Sequence, residues 1–228
     1  MLWMKAWMEI RWRFAFALAV VLAPLAGFWL KNGWSPAEAG ITMIFVSFMW
    51  LFCAVVLAGA GIRTQSPIQG TKGLHGSTLF TLSLPVSRLR LLSVRAGVGL
   101  AAVFAMMLIS SAVAWTFPMV RANSTVPDFV RWIFTLCCVA SAFHAISILN
   151  AIYLEENLQI WGTVAVIGLL KWLTIKFPPP PSLDVFRVMV ERSPLLTHSL
   201  PWPAILVSLA LAGMVFFFAV KVAQRHEY

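Results

Sequence analysis

The sequence predicts an all-α integral membrane protein with six transmembrane helices. Three observations carry this. Apolar residues make up 61% of the chain and charged residues only 11%, too little charge to cover a soluble globule. The apolar residues gather into six runs, each able to cross the roughly 30 Å of bilayer hydrocarbon. None shows the strict alternation of a barrel strand, and backbone groups in lipid must be satisfied within the segment, so each run is expected to be a helix. The whole chain, 1–228, is expected to form one transmembrane domain.

Taken in order, the first element is an N-terminal interfacial helix over 1–13. Trp3, Trp7, Ile10 and Phe14 fall at helical spacing, with Lys5, Glu9 and Arg13 on another line, the pattern of a helix lying in the membrane surface. No small-residue cleavage site follows it, so the first apolar run reads as a retained span. The expected spans are Phe14–Leu30, Ile41–Gly61, Ala96–Val120, Trp132–Tyr153, Gln159–Ile175 and Pro203–Val220, with a kink at Pro24 in the first. Ten of the eleven tryptophans lie near span ends, where an indole is half wet, and only Trp50 is deep.

Charge sets the orientation. Lys5, Arg11, Arg13, the loop 62–95, Lys221 and Arg225 put ten of the seventeen basic residues on one side, which the positive-inside bias makes cytoplasmic. Both termini are therefore expected in the cytosol and the chain in the cytoplasmic (inner) membrane. The net charge of +9 is read as complementary to anionic lipid headgroups. No basic cluster interleaved with exposed aromatics suggests nucleic acid.

The loop 62–95 contains five basic residues and no acidic one. Gly70, Gly73 and Gly76 punctuate it, Ser77 or Thr78 can cap a short helix bearing Leu79, Leu82 and Leu84, and Pro85 ends that helix. Ser87 is then placed to cap a second helix that starts with Arg88 and runs into the third span.

The stretch Thr78-Leu-Phe-Thr-Leu-Ser-Leu-Pro-Val-Ser-Arg-Leu-Arg-Leu-Leu92 resembles the corresponding segment of type-2 ABC exporter permeases, and the number and order of elements resemble that family in outline over the whole chain. The resemblance implies a transport subunit, not an enzyme. Gly76, Ser77, Thr78, Leu79, Leu82, Leu84, Pro85, Val86, Ser87 and Arg88 would form or flank a coupling helix that docks on a separate ATP-binding cassette subunit. It also implies a second permease copy, in a homodimer or heterodimer, with ATP and Mg bound on the partner subunit. Where family members often carry acidic residues around this segment, the chain has His75 and Phe80.

The residues agree that energy comes from elsewhere. No Gly-x-x-x-x-Gly-Lys-[Ser/Thr] phosphate loop occurs, and no cofactor or metal is expected on this chain. The four histidines lie in different segments, no Asp or Glu falls inside an expected span, and Cys53, Cys137 and Cys138 read as small apolar packers. In the fourth span, Ser141, His144, Ser147 and Asn150 lie on or near one face, expected to avoid lipid and either to line a pathway or to bond to neighbouring helices.

The outer loop 176–202 leaves the fifth span through Pro178–Pro181. It carries a short amphipathic helix marked by Leu183, Phe186 and Val190. An apolar lining without carboxylates suits a lipophilic or amphipathic cargo. The alternative class is a small polytopic membrane enzyme or assembly factor, including a haem-exporter-type permease of cytochrome maturation. A membrane enzyme calls for paired ionisable residues at matching depth.

Overall fold

The computed structural model describes residues 2–30, 36–58, 87–154, 156–190 and 193–225. Nine helices are described: α1 (Leu2–Leu30), α2 (Pro36–Val56), α3 (Arg88–Trp115), α4 (Pro118–Asn123), α5 (Val126–Tyr153), α6 (Glu156–Lys176), α7 (Val185–Val190), α8 (Pro194–Thr197) and α9 (Trp202–Arg225). Among the described residues there is no strand.

Five of these helices, α1, α3, α5, α6 and α9, are long and apolar enough to cross a membrane. The remaining expected span coincides with α2. That helix has 21 residues, but its described apolar stretch, Val46–Val56, is shorter than a crossing.

Residues 2–13 do not form a separate element. They are the first three turns of α1, which continues through Pro24 to Leu30. Neither glycine nor proline interrupts the chain before Pro24, so nothing breaks the helix at the expected boundary. Ala6 and Ile10 are buried, and Trp3 lies against Gly97 of α3, along which α1 packs.

The third span is displaced from its expected limits for local reasons. The Ser87 side chain accepts from Arg90 N at 3.3 Å, an N-cap that starts α3 at Arg88. The helix closes at Trp115, where Thr116 Oγ1 donates back to Val113 O at 2.7 Å and Pro118 opens the separate α4. The fourth span also begins early: Thr125 caps α5 and Pro127 occupies its first turn, so Asp128 lies inside a helix expected to be free of acidic residues.

α5 is the hub. It packs against α9, α2, α6, α3 and α8, and 72% of it is buried, against 11% of α6 and 17% of α9. Polar side chains at membrane depth belong in the interior of a bundle, where other helices supply partners. The outer helices turn Trp161, Leu169, Trp172, Leu206, Met214 and Phe217 outward, as apolar side chains facing lipid do. Between α6 and α9, Asp184 Oδ1 accepts from Phe186 N and Arg187 N and caps α7, the expected amphipathic helix. The short α8 escaped the sequence reading because four residues are too few for a periodicity.

Candidate functional site

The site grows from the end of α2, which precedes residues 59–86 in the chain. A helix leaves its last four carbonyls without intrahelical partners. Here Leu57 N donates to Cys53 O at 2.9 Å and Ala58 N to Val55 O at 3.3 Å. The other caps are side chains from different helices. His144 Nδ1 of α5 lies 3.0 Å from Ala54 O, and Ser147 Oγ donates to Val55 O at 3.0 Å. From α1, Arg13 NH1 donates to Val56 O at 3.5 Å, a cation placed at the negative end of the α2 dipole.

His144 also reaches α3. Its Nε2 lies 3.2 Å from Ala96 O, so the imidazole bridges two helices while attached to a third. Gly99 makes room for the ring: a Cβ there would meet Leu57 O at 2.6 Å and His144 Cε1 at 2.7 Å.

The junction continues into α6. Gln159 Nε2 donates to Ser147 Oγ at 3.1 Å, Thr163 Oγ1 donates to Gln159 O at 2.7 Å, and Asn150 Nδ2 donates to Thr163 Oγ1 at 3.0 Å. Gln159 and Thr163 are buried, and Gln159 Oε1 has no donor. The sequence reading missed both. Their spacing of four residues in an apolar run, which places two polar groups on one helix face, was the available signal.

Thus His144, Ser147 and Asn150, expected on one protected face, each bond to another helix, whereas Ser141 Oγ bonds within its own helix to Cys137 O at 2.9 Å. Of the expected docking residues, Ser87 is exposed and caps α3, and Arg88 is the first residue of that helix. Gly76, Ser77, Thr78, Leu79, Leu82, Leu84, Pro85 and Val86 lie outside the described residues. Cys53 and Cys138 are buried and Cys137 half-buried, all as free thiols.

A second polar cluster, which the sequence did not reveal, stands at the opposite end of α5. The nearly fully buried Asp128 accepts from Thr125 Oγ1 at 2.6 Å and Arg131 NH1 at 2.8 Å. His198 Nδ1 lies 2.7 Å from its Oδ2. Arg131 NH1 also donates to His198 O at 2.8 Å. His198 has a positive φ of 52°, a left-handed conformation that costs a non-glycine residue energy and is here held from both its ring and its carbonyl. The cluster pins the segment after α8 to the start of α5. Among the described residues no group of three or more His, Cys, Asp or Glu is arranged to hold a metal ion.

Comparison with protein-family models, with curated proteins and with solved structures gives no match for the chain.

Proposed function

We propose that this protein is the membrane-spanning permease subunit of an ATP-driven ABC transporter, exporting a lipophilic or amphipathic substrate. In this reading α2 completes six spans, the chain sits in the cytoplasmic membrane with both termini in the cytosol, and two permease copies work with two separate ATP-binding subunits. The loop 62–95 supplies the docking surface, and ATP and Mg belong to the partner.

The observation that carries the reading is how the loop is anchored. At one side, Ser87 caps α3, whose first residue is Arg88. At the other, Arg13, His144 and Ser147 cap the end of α2. A push on the loop is thereby delivered to two helices packed on the central α5, as a motor-driven permease requires. The neutral side chains of the α5–α6 part of the junction support an uncharged or amphipathic cargo. The buried Asp128 does not argue against it, since donors from Thr125, Arg131 and His198 engage the carboxylate. A membrane enzyme would use an acid–base pair such as Asp128 and His198, but here their bonds hold the segment after α8 to the start of α5.

The test is purification from native membranes into lipid nanodiscs with an assay of bound ATPase activity. Wild type is expected to bring down a nucleotide-hydrolysing subunit. Leu82→Asp is expected to lose it, because one buried unpaired carboxylate at a docking face costs several kcal/mol. Pro85→Ala combined with Ser87→Ala is expected to keep the protein inserted but uncouple hydrolysis from transport. Absence of ATPase from wild type, or retention of coupling in both variants, refutes the assignment.

A further inference from the structure

The two contacts of His144 are chemically alike in a way that one neutral ring cannot satisfy. A neutral imidazole has one N–H and one lone pair. Here Nδ1 faces Ala54 O at 3.0 Å and Nε2 faces Ala96 O at 3.2 Å, and a carbonyl oxygen only accepts. Whichever tautomer the neutral ring takes, one nitrogen presents its lone pair to the lone pairs of a carbonyl. Only the imidazolium donates to both.

We propose that His144 is a proton-binding site that fastens the end of α2 to α3: the neutral ring donates to one of the two helices, and the protonated ring to both. The inference concerns this chain alone and does not depend on an ATP-binding partner. α2 and α3 are the helices that residues 59–86 join in sequence.

The surroundings fit a proton better than a larger cation. The ring is wedged against Gly99, whose Cβ position is already within 2.7 Å of it, so the space is filled. The negative end of the α2 dipole faces Nδ1. Against this stands the cost of a buried charge, and no carboxylate is among the partners of His144. Of the charged groups on α1 (Lys5, Glu9, Arg11, Arg13) and α3 (Arg88, Arg90, Arg95), Arg13 bonds to Val56 O in the same final turn and Arg95 adjoins Ala96 in sequence. α2 adds the Cys53 thiol, which points to Ala17 O at 3.8 Å. On α5 itself Cys137 and Cys138 lie about two turns earlier and Tyr153 lies beyond, and α9 carries Lys221, set over the Phe217 ring at 5.4 Å. From α6 the junction receives the neutral Gln159 and Thr163, and Glu156 stands at its start.

The experiment uses the full chain in lipid nanodiscs with His75, His198 and His226 replaced by Gln, leaving His144 as the sole histidine. It is labelled with nitrogen-15 and followed by NMR from about pH 8 down to the lowest pH at which the fold persists. The expected result is one protonated ring nitrogen at the alkaline end and two at the acidic end. In parallel, spin labels at Phe52→Cys and Ser93→Cys, in a background lacking the native cysteines, report the α2–α3 separation. Its distribution is expected to narrow over the same pH range, and the narrowing to vanish in His144→Gln, which cannot take up the proton. A ring that keeps a single proton wherever the fold persists overturns the proposal, and this measurement needs no substitution at His144. A separation that ignores pH, or that responds equally in His144→Gln, overturns it as well.

Discussion

Gly99 on α3 and His144 on α5 occupy complementary space: a Cβ built on the glycine falls 2.7 Å from the imidazole Cε1 and 2.6 Å from Leu57 O. The second of these atoms is backbone, so a methyl group there cannot be accommodated by a side-chain rotation. Gly99→Ala is therefore expected to destabilise the protein. Overpacking costs about 1–3 kcal/mol, which outweighs the roughly 1 kcal/mol that alanine gains over glycine within a helix. Thermal unfolding in detergent checks this against Gly213→Ala, where nothing lies within 4 Å and stability is expected to hold or rise. Equal stability of Gly99→Ala and wild type would contradict the close approach.

Ser147 serves two helices at once, donating to Val55 O and accepting from Gln159 Nε2. Ser147→Ala is expected to cost about 1 kcal/mol, the net worth of a hydrogen bond, because Val55 O keeps Ala58 N and Gln159 Nε2 keeps Ser147 O as partners. Gln159 already carries one unpaired oxygen, so replacing it by Leu in the Ser147→Ala background is expected to recover part of that loss. A double-mutant cycle in denaturant measures the coupling; strictly additive effects would show that the two side chains do not share a bond.

Sidedness is testable without reference to function. Ser77→Cys, on a background lacking Cys53, Cys137 and Cys138, is expected to resist a membrane-impermeant thiol reagent applied to intact cells and to react after the cells are opened. Efficient labelling from outside would reverse the orientation drawn from the basic residues.

Much of the bundle was legible because lipid imposes length and composition on a span, and five of the six apolar runs appear as helices that satisfy both. Ser87 was legible as a cap because a serine after Leu-Pro-Val has few other uses at a helix start. What escaped were features set by tertiary contact. That His144 and Ser147 cap a different helix cannot be read from α5 alone, and the pairing of Asp128 with His198 joins residues 70 positions apart. The expected break after residue 13 failed for the opposite reason. Amphipathic spacing describes which face is apolar, not whether the helix stops, and nothing in the sequence there stops it.

The Asp128 cluster leads to the last prediction. The carboxylate takes donors from Thr125, Arg131 and His198, and Arg131 also holds the His198 carbonyl. Asp128→Asn keeps the size of the side chain but removes its charge and exchanges one acceptor oxygen for a donor, so either Arg131 or His198 Nδ1 meets an NH2 group where an acceptor oxygen stood. Residue 198 is left-handed and is held both through its ring and through Arg131; one of these two routes is then weakened, and the segment 193–199 is expected to open more often. Hydrogen exchange of the amides at 195–199 should accelerate, while exchange in the buried middle of α5, at 139–148, stays at the wild-type rate. Unchanged exchange at 195–199 would mean that the packing of Pro194 and the Ser193 cap holds the loop by itself and that the ion pair is incidental.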